Sequence, residues 1–228
     1  MNILALELST EACSIAVSHG DRIVHRHEIA PRKHAEYALP WADELLKQAG
    51  LTKSDLDAIA VGKGPGAFTG VRLSIAIGQG LAFALNKPLI GISTLAVLAQ
   101  GAIRQHHAGP VLAVIDARMD EIYAGRFDAN GHAVSVEQVI APDLLNLEGI
   151  TADWMIAGTG LQAVNGLLRS RLPDGIATDA TALPDARDLL TLAQRALRDG
   201  VETRPEDVEP AYLRNKVALT IAEREAKR

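Results

Sequence analysis

At 228 residues, 48% of them hydrophobic, the chain can bury one large core or two small ones. A formal net charge of −5 argues against a surface that itself carries the main nucleic-acid contacts, because those need a basic face. The single cysteine, Cys13, excludes an internal disulfide and, lying in an apolar run, reads as a buried thiol and not a nucleophile.

The opening residues, Met1-Asn2-Ile3-Leu4-Ala5-Leu6-Glu7, carry no basic n-region and meet a carboxylate early, so no signal peptide is expected. No run approaches the ~18 apolar residues of a bilayer span, and a soluble cytoplasmic protein without a membrane partner is the expectation. Residues 3–8 and 12–18 are apolar runs separated by Ser9-Thr10-Glu11 and read as two strands. His19-Gly20-Asp21 then turns the chain into a third strand over 22–29, with Ile23, His25, His27 and Ile29 on one face. Helical spacing over 35–49, through Ala38, Trp41 or Ala42, Leu45 and Ala49, is stopped by Gly50. Pro40 either kinks that helix or marks where its regular part begins. Thr52 and Asp55 frame a capped turn before a fourth strand at 58–61.

Residues 60–72, AVGKGPGAFTGVR, compress a strand end, a glycine-dense loop and a helix start. Gly62, Gly64 and Gly66 strip the loop of side chains, so it either binds an anion with the help of the helix N-terminus or makes a tight strand-to-helix turn. The P-loop spacing is absent, which favours the turn. Lys63, Gly64 and Gly66 are the candidate phosphate or nucleotide contacts, and only within a complex. The helix that follows covers 68–85, where Gly70, Ser74, Gly78 and Ala82 recur as a stripe of small side chains. Glycine inside a helix costs ~1 kcal/mol relative to alanine, so Gly78 and Gly80 imply close packing, against this chain's own sheet or against another helix. A strand at 88–92 and a helix over 94–103 capped by Ser93 complete this half.

His106-His107-Ala108-Gly109-Pro110 is a polar connector, and it sets the expected division into lobes at 1–106 and 107–210 with a terminal segment at 211–228. The pattern then restarts with strands at 111–116, 121–127 and 132–139, which suggests a duplicated β-β-β-α unit. A helix-prone stretch at 143–147, a short strand at 154–157, a helix around 163–171 and an amphipathic helix over 184–198 closed by Gly200 follow. Residues 203–207 read as a linker, and the tail from Asn215 as a solvated helix.

Glu7 ends the first strand where actin-like ATPases place the acid of a phosphate loop, but Leu8-Ser9-Thr10-Glu11 offers no glycine and Glu11 adds repulsion. No nucleotide site is expected in this chain alone. His25 and His27 share a strand face without a third ligand nearby, and His106 and His107 lie in a connector, so solvated histidines are expected. Asp116, Asp120 and Glu121 crowd one turn and either hold Mg²⁺, act as acid and base, or pair with Arg118. No Ser-His-Asp signature with a nucleophile elbow is present.

Several stretches together carry a resemblance. They are Ile3-Leu4-Ala5-Leu6-Glu7 with Ser9-Thr10-Glu11-Ala12-Cys13-Ser14, then Pro31-Arg32-Lys33-His34, the loop from Gly62 to Arg72, Gly91-Ile92-Ser93-Thr94-Leu95, Ile115-Asp116-Ala117-Arg118-Met119 and Glu209-Pro210-Ala211-Tyr212-Leu213-Arg214-Asn215. Over residues 2 to about 217 the sequence resembles the bacterial TsaB (YeaZ) family, subunits of the tRNA threonylcarbamoyladenosine machinery. One departure is Glu7-Leu8 where the family usually has Asp-Thr. The resemblance implies a degenerate α/β, actin-like (ASKHA, Hsp70-like) fold with two β-β-β-α-type lobes. It implies no catalytic or metal site, since Thr94 and Leu98 stand where the catalytic relative TsaD has a His-x-x-x-His motif. The implied role is to bind and activate TsaD for threonylcarbamoyl transfer to the adenosine 3′ of the anticodon. TsaE, an ATPase, is an implied further partner; the chain is implied to be a homodimer when alone and to meet tRNA only through the complex. No cofactor is implied for the isolated chain, with ATP or ADP at the level of the complex. Partner contacts are implied at Tyr37, Trp41, Leu45, Phe68, Gly70, Val71, Ser74, Gly78 and Leu81. Two competing expectations are a stand-alone actin-like ATPase or protease, acting through Glu7 or Asp116, and direct tRNA binding.

Overall fold

The structure, a computed structural model, describes residues 1–201 and 203–214. Sheet 1 contains β1 (Asn2–Glu7), β2 (Ala12–His19), β3 (Arg22–Ile29), β4 (Ala58–Gly62) and β5 (Leu89–Ile92), in the order β3-β2-β1-β4-β5. Sheet 2 contains β6 (Val111–Arg118), β7 (Glu121–Phe127), β8 (Gln138–Ile140), β9 (Met155–Ala157) and β10 (Ala177–Asp179), in the order β10-β9-β6-β7-β8. In each sheet the first strand is central, an antiparallel meander lies on one side, and two parallel strands lie on the other. The fold is therefore the duplicated α/β arrangement expected, an actin-like pair of lobes.

Helices cover both faces of the inner part of sheet 1, which is why β1, β2, β4 and β5 read as mainly apolar runs while the edge strand β3 does not. Leu4, Leu6, Ile15, Val17, Ile59 and Val61 face α1 (His34–Ala49) and α2 (Phe68–Leu85). Ile3, Ala5, Ala16, Ala58, Ala60 and Ile90 face α5 (Ala186–Arg198) and Val97 of α3 (Thr94–His106). The alanines on that second face leave room for a helix to lie close. The other side of α3, through Leu95, Leu98, Ala99 and Ala102, packs on Val111, Ala113 and Ile115 of sheet 2, so one helix is shared by both lobes. Arg104 of α3 grips the buried Asp188 of α5 with two hydrogen bonds, at 2.7 and 2.9 Å.

Local signals account for the element ends. Gly50 closes α1 in the left-handed conformation, Thr52 and Asp55 form a capping box, and Ser93 Oγ accepts the amides of Leu95 and Ala96 at the start of α3. α1 runs through Pro40 as one helix.

Four expectations are corrected. The strand expected at 132–139 shrinks to β8, because Asp128 Oδ1 takes the amides of Asn130 and His132 and holds the chain in a loop. No helix forms at 143–147; Arg126 donates to the carbonyls of Asn146 and Glu148, and Arg171 to those of Pro142 and Leu145. In α4 (Ala163–Ser170), Val164, Asn165 and Gly166 take positive φ, so only its second half is regular. By length and composition α2 is apolar enough to cross a membrane, contrary to expectation, although it lies on sheet 1 along one side.

The chain also returns to the first lobe. α5 packs on sheet 1, and residues 203–211 strap the same lobe: Leu89 N donates to Thr203 O, Gln79 Nε2 to the carbonyls of Pro205 and Val208, and Ala211 N to Lys63 O. The expected division at 106 thus separates the two sheets but not the helices that cover them. The tail expected to be helical from Asn215 lies outside the described residues.

The glycines of α2 differ sharply in their surroundings. A Cβ on Gly78 would sit 2.4 Å from Val61 Cγ1 and 2.9 Å from Leu89 Cδ1, whereas one on Gly80 would meet nothing within 4 Å. Gly78→Leu is expected to destabilise the fold by about 3 kcal/mol through overpacking. Gly80→Ala is expected to stabilise it by roughly 0.5–1 kcal/mol through helix propensity. Thermal or urea denaturation of the two variants measures both effects.

Candidate docking face and lobe-junction site

The α1 and α2 helices present one side to sheet 1 and the other to solvent, and this sorts the residues expected to contact a partner. Ser74 Oγ donates to Leu6 O at 2.9 Å and is fully buried. A Cβ on Gly70 would lie 2.2 Å from Leu8 O, and Val71 is buried. With Gly78, these residues form the sheet-facing side, so the small-residue stripe is occupied by the chain's own sheet. Trp41 and Leu45 are also core residues, and Tyr37 stacks on Trp41 with ring centres 4.7 Å apart. Of the expected contacts, Phe68 is exposed and Tyr37 and Leu81 are half-buried.

A different set of residues is outward. Thr69, Ala76, Gly80, Phe83 and Ala84 are exposed and Leu73 half-buried, and they run along α2 at helical spacing. Phe83 is 81% exposed, and Leu39 of α1 is 49% exposed. Beside them a groove of about 260 Å³ opens between the two helices, lined by Leu39, Leu46, Leu81 and Leu85 with Asp43 and Lys53 at its rim. The sequence signal for this face is the mid-helix Gly80, which points to the side opposite Gly78.

At the other end of α2 the glycine loop is threaded between strands. Gly64 has a φ of 91°, and Gly66 lies so close to Ser9 O that a Cβ would be 2.2 Å away. Lys63 N donates to Ile92 O, Ala67 N to Ser9 O, and Gly64 O accepts from Thr94 N. The loop therefore spends these groups on holding β1, β5 and α3 together. The Lys63 side chain packs on Gly91 near Glu137, whose carboxyl is pushed up by burial and contacts Ser93 Oγ.

Glu7 stands at the end of β1, in register with Ser14 and, beyond it, His27. It is completely buried, and a Cβ on Gly62 would fall 1.9 Å from its Oε2. Its carboxylate thus fills the space that the bare backbone of Gly62 leaves. Oε1 accepts from Ser9 N at 2.9 Å, and Oε2 has no partner among the described residues. His27 Nδ1 lies 3.6 Å from Asp185. In the acidic turn Asp116 pairs with Arg118 at 2.8 Å and Glu121 with Arg214 at 2.7 Å, and Asp120 is exposed. Among the described residues no cluster of three His, Cys, Asp or Glu is placed to hold a metal, and Thr94 and Leu98 are both buried.

Burial pushes the Glu7 carboxyl from 4.5 up to about 7, against the hydrogen bond from Ser9 that lowers it. Because the folded value is the higher, the stability linked to Glu7 is fully present below pH 4.5 and is lost as pH rises through about 7. The total effect is roughly 3 kcal/mol. Glu7→Gln is expected to flatten this dependence and to exceed the wild type in stability at pH 8 but not at pH 4.5, as urea titrations across that range will test.

Against known proteins, the family model "TsaD: tRNA N6-adenosine threonylcarbamoyltransferase" matches residues 26–222. The tRNA threonylcarbamoyladenosine biosynthesis protein TsaB of Escherichia coli K12 is 40% identical over 227 residues, covering 96% of each chain. YeaZ from Pseudomonas aeruginosa superposes with a TM-score of 0.84 at 43% identity, over 92% of this chain and all of that one. A second Pseudomonas aeruginosa structure, of an uncharacterized protein with similarity to peptidase YeaZ, gives 0.87 at 44% identity, over 93% and 99% of the two chains. With nearly full-length similarity in both sequence and structure, the chain belongs to the TsaB (YeaZ) family.

Proposed function

We propose that this chain is a non-catalytic subunit of the tRNA threonylcarbamoyladenosine-forming machinery, which binds a TsaD-type catalytic subunit through the free face of α1 and α2 and holds it in an active state. The observation that carries this reading is the apolar outward side of α2, with Gly80 open to solvent and Phe83 81% exposed. An apolar helix face of this kind is stable in water when a partner helix covers it, and small residues let two backbones approach. Family membership supplies the pathway, since the Escherichia coli relative is named for threonylcarbamoyladenosine biosynthesis. The closed state of the chain's own cleft supports a non-catalytic role. Glu7 fills the space over Gly62, and Asp116 and Glu121 at the β6–β7 turn are held by arginines.

In this scheme the chain acts in the cytoplasm and pairs with itself through the same face when the catalytic subunit is absent. TsaE joins the assembled pair, any ATP or ADP binds at the level of the complex, and tRNA is met through TsaD.

Reconstitution tests the proposal. TsaD, TsaE, the adenylate-forming enzyme, tRNA and ATP are combined with and without this chain, and modified adenosine is scored. Strong dependence on the chain is expected, and equal product without it would sink the assignment, as would saturable ATP or peptide hydrolysis by the chain alone. Gly80→Leu, which has room for its side chain, is expected to remain folded and to weaken pairing with TsaD by ~30-fold or more. Unchanged co-elution of this variant would exclude the face.

A further inference from the structure

Two stretches far apart in sequence, residues 62–72 and 209–214, meet on the surface at the first turn of α2. Ala211 N donates to Lys63 O at 2.8 Å, and the next residue, Tyr212, accepts at its hydroxyl from Arg72 Nη2 at 2.7 Å. The guanidinium carbon of Arg72 lies 3.4 Å from the centre of the Phe68 ring and 5.2 Å from that of Tyr212, while Nη1 donates to Phe68 O. Both rings face water, 67% exposed for Phe68 and 63% for Tyr212. Two residues further on, Arg214 fastens this segment to the β6–β7 turn by its pair with Glu121 and by hydrogen bonds to the carbonyls of Ala117 and Arg118. That turn carries Arg118, Met119 and Asp120 at positive φ and leaves Met119 59% exposed. The result is one corner, built from both lobes, with an arginine between two exposed rings and a methionine nearby.

The charges at this corner are not equivalent. Arg118 is paired with Asp116, and Arg214 with Glu121. Arg72 is held by a hydroxyl, a carbonyl and two π faces, and among the described residues it pairs with no carboxylate. A guanidinium fixed in this way still has N–H groups to offer, and its preferred acceptor is a carboxylate or a phosphate. Rings that stack on an arginine in water gain little until solvent is excluded.

We propose that this corner is a second contact for the partner that docks on α1 and α2, and that Arg72 there receives an acidic side chain of that partner. The inference rests on the docking reading above, because Phe68 and Arg72 form the first turn of the same helix and the corner continues its free face through Thr69 and Leu73. A protein carboxylate fits better than a nucleic acid. The net charge of −5 disfavours a polyanion, which must approach over a wide stretch of surface, more than a single carboxylate set on Arg72. Arginine and aromatic residues grouped at the edge of an apolar face match the composition of strong protein contacts.

Isothermal titration of the full chain with the TsaD-type subunit of the same organism, at 50 and 300 mM salt, tests this. Arg72→Ala is expected to weaken binding by ~30-fold at the lower salt and to flatten the salt dependence, and Phe68→Ala to weaken it by ~10-fold. Circular dichroism melts accompany each variant. Phe68→Ala, which removes an exposed ring, carries the test if Arg72→Ala loosens the strap. Wild-type affinity in folded Arg72→Ala and Phe68→Ala, with Gly80→Leu impaired, would overturn the corner contact and leave the docking face standing. Wild-type affinity in all three would overturn both. Binding of tRNA by the chain alone, lost in Arg72→Ala while affinity for the protein partner is unchanged, would overturn the proposal in favour of a nucleic-acid contact.

Discussion

How closely α2 lies on sheet 1 decides what the first lobe presents to its surroundings. Gly70, Ser74, Gly78 and Ala82 settle onto Leu6, Leu8, Val61 and Leu89, and at Gly78 no side chain larger than hydrogen fits. With its smallest residues turned inward, the helix must carry Leu73, Ala76, Gly80, Phe83 and Ala84 on the side the chain cannot cover. α1 lies beside it and leaves a groove lined by leucines, not a closed joint. A surface of this kind reflects burial that the monomer leaves unfinished.

The lobe junction has the opposite character. Glu7 rests on Gly62, the loop groups are consumed by Ser9, Ile92 and Thr94, and α3 is packed between both sheets and tied to α5 through Arg104 and Asp188. A phosphate-binding loop needs unspent amides and a cleft that opens and closes; here the amides of Lys63 and Ala67 are committed. The family's working surface, as proposed, therefore lies on the outer helices and at the corner beside them, where the glycine loop and the strap serve as a mount.

Much of this architecture was legible from residues alone. Gly50, Thr52 with Asp55, Ser93 and the turn at Gly20 each fix a boundary by local chemistry, and β1, β2 and β4 of sheet 1 announce themselves by burial on both faces. The outward side of α2 was not legible, because small and apolar residues occur all round the helix and the stripe at Gly70 and the stripe at Gly80 have equal periodicity. Only the side chains beneath, Val61 and Leu89, choose between them. Residues 143–147 have helical composition, but two arginines from elsewhere claim their carbonyls, a tertiary event without a local signal. Likewise nothing in the run Ile3 to Leu8 says that its one acid is fully enclosed, and Arg72 and Tyr212 are 140 residues apart.

The return of α5 to sheet 1 bears on how the protein is made. Ile3, Ala5, Ala16, Ala58, Ala60 and Ile90 are covered by residues 186–193, near the far end of the chain. During synthesis the first lobe is begun at once, but one face of its sheet has only α3, through Val97, over it until almost the whole polypeptide has emerged. α1 and α2, which cover the other face, come from the first 85 residues, and of the later sequence only the strap at 203–212 reaches α2. The helices proposed to meet a partner have thus left the ribosome well before the lobe that carries them is complete, and until then a nascent chain exposes a second apolar surface besides theirs.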